Sequence, residues 1–267
     1  HGLWLAIFFA CATIAAAALI RVLSGTMRNR AILAAGWLLL TLILAKSLGA
    51  IMITLLILPV VFLPTRTHML FAACIAGSVL TYPMLRGAGL VPINPIMNIA
   101  SAIDEDRAGS FLTRLENEED LLEKANRKPL FGWGTWGRAR IFDKKGNNES
   151  LTDGYWIILM GEGGWIQYIA TFGLLTLPVI IMTMRAKAYE ITLVTSALCL
   201  ILTANLIDLI PNATLTPLTW LMAGALAGRL ELRGADLKNT ADEIIPVMPS
   251  GPRYSRFARH KGRSTVS

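Results

Sequence analysis

The sequence is poor in charged residues, which make up 16% of its 267 positions, whereas 54% are hydrophobic. Soluble domains carry about 25% charged residues, so this composition excludes an ordinary soluble protein and indicates a chain dissolved in lipid. Cysteines number only three, Cys11, Cys74 and Cys199. Each falls in an apolar run without metal-ligand spacing, so we expect three small buried hydrophobic residues and neither a disulfide framework nor a zinc site.

The chain also lacks a secretory signal at its start. It begins at His1 and enters an apolar run at once, with no basic region and no small-residue cleavage site. We therefore expect a piece of a longer protein whose earlier portion is missing. No base-reading element is present either, so no nucleic-acid partner is predicted.

The sequence contains long apolar runs. A hydrocarbon core about 30 Å thick requires roughly 20 apolar helical residues. Runs that reach or approach this length are 3–20, 31–45, 49–63, 68–85, 155–182, 191–210 and 215–230. The predicted fold class is an all-α polytopic membrane protein with about seven transmembrane helices and one large, partly helical extracytoplasmic loop. The second and third runs, which meet at Lys46, are either a tight hairpin or one kinked, partly re-entrant element.

These runs divide the chain into transmembrane helices at 1–85, a loop at 86–154, further helices at 155–230 and a tail at 231–267. When seven spans alternate, the Lys and Arg that follow the first, third, fifth and seventh runs fall on one side, which predicts that this side is cytoplasmic. The long loop has no positive excess, with 10 Lys and Arg against 11 Asp and Glu. It falls on the periplasmic side together with Lys46, Glu162 and Asp208. The basic tail is predicted to be disordered, cytoplasmic and attracted to anionic membrane lipids.

The loop contains a predicted helix that starts at Ser110, a candidate N-cap, ends near Asn126 and is stopped by Pro129. Its apolar residues recur at helical spacing and are expected to face the membrane domain: Phe111, Leu115, Leu122 and Ala125. Its acidic residues are expected to face water: Glu116, Glu118, Glu119 and Asp120.

The order of motifs in the loop carries a family resemblance. Arg114 on the predicted helix is followed about fifteen residues later by a Pro-Leu-Phe-Gly-Trp-Gly turn at 129–134, and a Gly-Glu-Gly-Gly step at 161–164 then enters the membrane. This arrangement resembles the large loop of the O-antigen ligase/polymerase family of bacterial polysaccharide ligases and polymerases, over about residues 31–230. Ligases of that family carry a His before the re-entering helix. Here that place holds Thr152-Asp153-Gly154, so Asp153 is the nearest substitute for a base.

The resemblance implies a glycan transferase of the bacterial inner membrane. It would move or polymerise saccharide from a polyprenyl-diphosphate donor onto a glycan or lipid acceptor hydroxyl, without a metal or other cofactor. Negative charge develops on the leaving diphosphate, and arginine binds phosphate oxygens in pairs. The candidate catalytic residues are Arg114, Arg127 and Asp153, with Asp153 as the base. The candidate substrate-binding residues are Arg138, Arg140, Trp133, Trp136, Gly132, Gly134, Lys46 and Glu162.

Each candidate has a structural alternative. The candidate arginines could pair with nearby acids at the surface, as Arg114 could with Glu118 at i,i+4. Asp153 could form an Asx turn beside Gly154. The tryptophans could belong to an interfacial belt. The glycines could form a plain turn, or a turn whose free amides bind an anion. Asp208 is expected to reach water.

For the whole chain, the alternatives are a flippase or other transporter for lipid-linked glycans, and a non-catalytic partner of polysaccharide export machinery. Transporters commonly pair broken helices near the bilayer midplane, and here only the hairpin at Lys46 resembles such an element.

Overall fold

The computed structural model describes residues 2–91, 93, 98, 101, 105–150, 152–189 and 191–231. Within these residues the regular elements are α-helices. They are α1 (Gly2–Val22), α2 (Gly25–Leu44), α3 (Leu48–Val61), α4 (Thr65–Gly87), α5 (Glu105–Asn126), α6 (Tyr155–Met184), α7 (Leu193–Asp208) and α8 (Pro217–Glu231), with one helical turn at Ala186–Tyr189 after α6. An isolated antiparallel bridge joins Phe142 and Asn148 in the loop. Of the predicted tail, only Glu231 lies within the described residues.

Four of these helices, α1, α2, α4 and α6, are long and apolar enough to cross a membrane. The apolar helices α3 and α7 contain 14 and 16 residues. At 1.5 Å per residue they reach about 21 and 24 Å, short of a hydrocarbon core of about 30 Å. The chain is therefore all-helical with four candidate spans among the described residues, and the predicted count of seven is not reached.

The boundary between the second and third apolar runs is a tight turn. Lys46 adopts a left-handed φ of 54° between α2 and α3, and both helices pack against α1. The hairpin alternative is thus the one observed. Helix α2 begins at Gly25, before the apolar run that starts at Ala31. Arg28 and Arg30 are good helix formers, so the helix can continue beyond the apolar residues.

Helix α7 is the centre of the bundle and packs against α1, α3, α4 and α8. The buried face of α1 is rich in alanine, including Ala6, Ala10 and Ala17, and such small residues let helices approach closely in a membrane. Cys11 and Cys199 are buried as predicted. The same prediction is wrong for Cys74, which lies exposed on α4.

A polar network that runs from the exposed Arg21 to the buried His68 and Ser196 joins one end of the bundle. The Nη1 group of Arg21 at the end of α1 donates to the carbonyl oxygens of Val61 (2.6 Å) and Leu63 (2.7 Å). It also lies 3.3 Å from His68 Nε2, and His68 Nδ1 lies 2.9 Å from Ser196 Oγ. These contacts join α1, α3, α4 and α7. Successive helices alternate in direction, so the α2–α3 turn, the loop and the end of α7 lie at the opposite end, here called the loop end.

At the loop end, the backbone N–H of Tyr155 donates to the carbonyl of Leu209 (3.1 Å), which sets the start of α6 beside the end of α7. Asp208 is only 3% exposed. It accepts hydrogen bonds from Asn212 Nδ2 (2.9 Å) and Thr214 Oγ1. The expectation that Asp208 reaches water is therefore wrong, because its carboxylate serves as the internal acceptor that closes the α7–α8 turn.

Candidate functional site

Helix α5 places the loop on the membrane domain. It ends at Asn126 as predicted but is described from Glu105, so Ser110 lies inside it rather than at its cap. The side chains of Ser110 and Phe111 lie outside the described residues. Leu115, Leu122 and Ala125 are buried as predicted. Helix α5 packs against α6, so its functional side chains are held close to that helix.

Arg114 and Asp153, two of the three predicted catalytic residues, form an ion pair. Arg114 Nε lies 3.1 Å from Asp153 Oδ2, and each side chain is 38% exposed. The alternative in which Arg114 pairs with Glu118 is thus not the arrangement found. The pair links α5 to the segment that enters α6, and both groups remain open to a ligand.

Glu118 is buried and was misassigned from the sequence. It is only 7% exposed, and its Oε1 accepts a hydrogen bond from Trp156 Nε1 at 3.2 Å. Its Oε2 is buried without a partner among the described residues. Burial raises the pKa of this carboxyl from 4.5 to about 7, and the Trp156 hydrogen bond and the charge of Arg86 offset this only in part.

The expectation that Glu118 faces water is wrong for a reason that its position makes plain. Residues 115, 118, 122 and 125 share one helical face, since side chains three and four apart are neighbours on a helix. Glu118 therefore belongs to the apolar stripe of α5. Helical spacing alone predicts that Glu118 is buried. The opposite expectation followed from its charge.

Arg86 at the end of α4 completes a charge cluster that we define as Arg86, Arg114, Glu118 and Asp153. Its guanidinium donates from Nη2 to the carbonyl of Leu115 at 3.1 Å. The same Nη2 lies 3.6 Å from a Glu119 carboxylate oxygen, and the Arg86 side chain is 8% exposed. No sequence motif indicated Arg86, because its partners come from a helix distant along the chain.

The Pro-Leu-Phe-Gly-Trp-Gly turn, called the docked turn (residues 129–134), lies against a break in α6. Gly164 has φ 63° and ψ −159° inside this helix. A left-handed residue there interrupts the ladder in which each N–H bonds the carbonyl four residues earlier. The docked turn supplies the missing partners through four hydrogen bonds: Trp133 N to Gly161 O (2.8 Å), Gly134 N to Glu162 O (2.8 Å), Trp165 N to Pro129 O (2.8 Å) and Ile166 N to Leu130 O (3.3 Å).

This pairing decides between the two alternatives for the turn amides. The N–H groups of Trp133 and Gly134 are used by α6 carbonyls, so they are not free to bind an anion. The glycines are required by contact as well as by conformation. A Cβ on Gly132 (φ 62°) would lie 2.6 Å from the Glu162 carbonyl, and one on Gly164 would lie 2.3 Å from the Pro129 oxygen. Only glycine fits such approaches of backbone to backbone.

The two tryptophans of the loop have different settings. Trp133 donates from Nε1 to the carbonyl of Lys124 at 2.9 Å. The ammonium groups of Lys124 and Lys128 lie 5.2 and 4.3 Å from its ring centroid. Trp136 is 95% exposed and has a left-handed φ of 65°, which is uncommon for a bulky residue. Trp133 is thus held by Lys124 of α5 and by Lys128 just after it, whereas Trp136 presents its whole ring.

A cavity of about 260 Å³ lies between α5, the loop and the first part of α6. Two predicted substrate-binding residues, Arg140 and Glu162, are in its wall. The other lining residues are Leu121, Gly137, Ala139, Thr152, Ile157, Ile158 and Gly161. Its wall therefore carries one cation and one carboxylate among small and apolar groups.

The remaining predicted residues lie elsewhere. Arg127 pairs with Glu123 (2.8 Å) on an exposed face of α5. Arg138 donates from Nε to the carbonyl of Thr135 at 3.1 Å. Lys46 lies in the α2–α3 turn, and none of the three is among the residues that line the cavity.

Among the described residues, no group of three or more His, Cys, Asp or Glu is arranged to hold a metal ion. The metal-free mechanism remains a prediction. Comparisons of the chain with family models, with curated proteins and with solved structures find no match.

Proposed function

We propose that the chain is a membrane glycan transferase that moves or polymerises saccharide from a polyprenyl-diphosphate donor onto an acceptor hydroxyl. One observation carries the proposal. The cavity that contains Arg140 and Glu162 adjoins the Arg114–Asp153 ion pair, since Thr152 lines the cavity and Asp153 is the next residue. Cations and carboxylates therefore converge at one end of an apolar helix bundle, where a lipid-linked anionic substrate would be presented.

The arginines would act on the leaving group. As the bond between the anomeric carbon and the diphosphate oxygen breaks, its electron pair passes to the diphosphate. Preorganised cations stabilise that developing charge, most strongly where water is excluded. Arg140 in the cavity wall and Arg114 beside it can each offer a planar pair of N–H donors to phosphate oxygens.

Asp153 would receive the acceptor proton. Its Oδ2 is paired with Arg114 Nε, and its side chain is partly open to solvent. A diphosphate that binds Arg114 competes for the guanidinium and frees a carboxylate oxygen. The acceptor oxygen then bonds to the anomeric carbon as its proton passes to Asp153, which must lie within hydrogen-bond reach of that hydroxyl.

The proposed setting is the bacterial inner membrane, with the loop on the periplasmic side and seven alternating spans in which α3, α7 and α8 cross as shorter helices. The proposed partners are the lipid-linked oligosaccharide, a glycan or lipid acceptor and surrounding membrane lipids. No cofactor is required by this scheme.

The test is transfer in vitro with the purified full-length protein in nanodiscs, a polyprenyl-diphosphate oligosaccharide, an acceptor glycan and a chelator. We expect the parent to transfer saccharide and Arg114→Ala to lose transfer. Arg66→Ala, an exposed arginine at the start of α4, is the matched control and should retain it. Transfer that needs a divalent ion, or that survives Arg114→Ala, would reject the mechanism.

The same variant in cells separates a transferase from a transporter. Loss of transfer leaves lipid-linked units accumulated on the periplasmic face, whereas loss of transport leaves them on the cytoplasmic face. A non-catalytic partner would show no transfer in the purified assay whatever the variant.

A further inference from the structure

A second surface at the loop end is apolar and exposed, and it stands independently of the proposed activity. Leu130 and Phe131, at the tip of the docked turn, are 58% and 74% exposed. Beside them on α6, Ile166 and Ile169 are 50% and 56% exposed. Adjacent large apolar side chains left open in this way mark a surface that contacts something other than water.

This surface is continuous with an exposed apolar face of α6. The exposed large apolar residues after the helix break are Ile166, Ile169, Leu174, Leu177 and Met184. At 100° per residue they fall on one side of the helix. α6 is a candidate membrane span, so a continuous exposed apolar stripe on it is its lipid-facing side.

The length of the helix sets the depth of the turn. From Trp165 to Met184, α6 rises about 30 Å at 1.5 Å per residue, which equals the thickness of a hydrocarbon core. The first residues after the break therefore lie at one boundary of the hydrocarbon. Trp165 and Ile166 are the residues whose amides bond Pro129 and Leu130.

The docked turn has no freedom to leave that depth. Four backbone hydrogen bonds fix it to α6, and Gly132 and Gly164 hold the two backbones in direct contact. Two cations precede the apolar tip, Arg127 and Lys128, and both are exposed. Basic residues next to apolar ones are typical of the level at which acyl chains meet phosphate headgroups.

We propose that Leu130 and Phe131 are immersed in the bilayer at the hydrocarbon boundary, so that the docked turn is a lipid anchor of the loop. Its partner is the lipid itself. The cavity shares Gly161 and Glu162 with the backbone that receives the turn, and the anchor therefore holds the cavity at the membrane surface.

The test places one environment-sensitive fluorophore on the full chain in nanodiscs. Cys11, Cys74 and Cys199 are replaced by Ala, and a single cysteine is introduced by Phe131→Cys and labelled. Lys144→Cys, in the polar and exposed turn of the Phe142–Asn148 bridge, is the matched control. Each sample is titrated with lipids that carry a quencher near the headgroup end of the acyl chain, and with aqueous iodide.

We expect the label at 131 to be quenched by the lipid at least about threefold more than the label at 144, and to be protected from iodide. Leu130→Cys gives a second probe should the label at 131 disturb folding, which thermal unfolding of each sample would report. The proposal is overturned if iodide quenches the label at 131 in one sample and also the label at 130 in the other. Protection from both quenchers also overturns it, because it would show that protein covers the surface.

Glycan transfer is not measured in this experiment. A loop that is immersed but belongs to an inactive chain supports the anchor while rejecting the transferase. A chain that transfers saccharide but whose docked turn is solvated supports the transferase and rejects the anchor.

Discussion

Arg114 Nε and Asp153 Oδ2 lie 3.1 Å apart and connect helix α5 to the short segment that precedes α6. The contact joins two segments far apart in sequence, and it remains partly open to solvent. Its contribution to stability is therefore modest, because exposed ion pairs are worth about 0–1 kcal/mol. An effect on transfer much larger than this would reflect chemistry rather than folding.

Exchange of the two charges separates those roles. We expect Arg114→Asp and Asp153→Arg each to destabilise the protein by about 1 kcal/mol or less. The double variant should recover that loss while transfer stays absent, since the guanidinium is then displaced from the proposed diphosphate position. Thermal unfolding and in vitro transfer measure the two effects, and a double variant that recovers transfer would reduce the pair to a structural link.

The buried carboxyl of Glu118 predicts a pH-dependent stability. Its pKa is about 7 in the folded protein against an ordinary value of 4.5, so between these values the folded state keeps a proton that the unfolded chain has lost. Stability should fall as pH rises through that window and level off above about 7. Glu118→Gln should remove the decline and be more stable than the parent at about pH 8, by up to about 3 kcal/mol.

Unfolding temperatures measured from about pH 5 to about pH 8 test this directly. Glu116→Gln is the control, because Glu116 is exposed on the same helix. Parallel pH profiles for the parent and Glu118→Gln would show that the Glu118 carboxyl is not the group responsible.

Contact between the docked turn and α6 predicts severe effects of small substitutions. Gly132→Ala and Gly164→Ala each introduce a Cβ against backbone atoms at a left-handed φ. We expect either to destabilise the protein by about 2 kcal/mol or more and to increase proteolysis at Arg127. Gly77→Ala is the control, since nothing lies within 4 Å of its added Cβ. Unchanged unfolding temperatures in both turn variants would disprove the close packing.

The positions of two loop arginines predict unequal effects on transfer. Arg140 lines the cavity, and we expect Arg140→Ala to lower the transfer rate at least about tenfold. Arg127 is bound to Glu123 at the helix surface, and Arg127→Ala should change the rate by no more than about twofold. A larger loss in Arg127→Ala would support the catalytic role predicted for it from the sequence and would place the diphosphate away from the cavity.

Local patterns in the sequence predicted the local features of the loop. The end of α5 at Asn126 and the burial of Leu115, Leu122 and Ala125 follow from helical periodicity and from Pro129. Glu118 was missed only because its charge was given more weight than its spacing. The all-helical fold likewise follows from the apolar runs. Seven runs were counted as spans, whereas four of the described helices are long and apolar enough to be candidate spans.

Contacts between segments that are distant in the sequence could not be predicted from local patterns. Arg114 and Asp153 were each candidates, but nothing in the sequence paired them. The glycines at 132–134 and 161–164 were both noted, yet their mutual contact requires knowledge of how α5 turns back onto α6. Arg86 carried no signal, because its contacts with Leu115 and Glu119 form only when α4 and α5 pack together.

The break at Gly164 has a consequence for the biogenesis of the protein. Gly161, Glu162, Trp165 and Ile166 lose their α-helical hydrogen bonds at the break, and a buried backbone group left without a partner costs about 1–3 kcal/mol. Their substitutes are on residues 129–134, which leave the ribosome first. Helix α6 can therefore reach its final bent form only when the docked turn has packed against it.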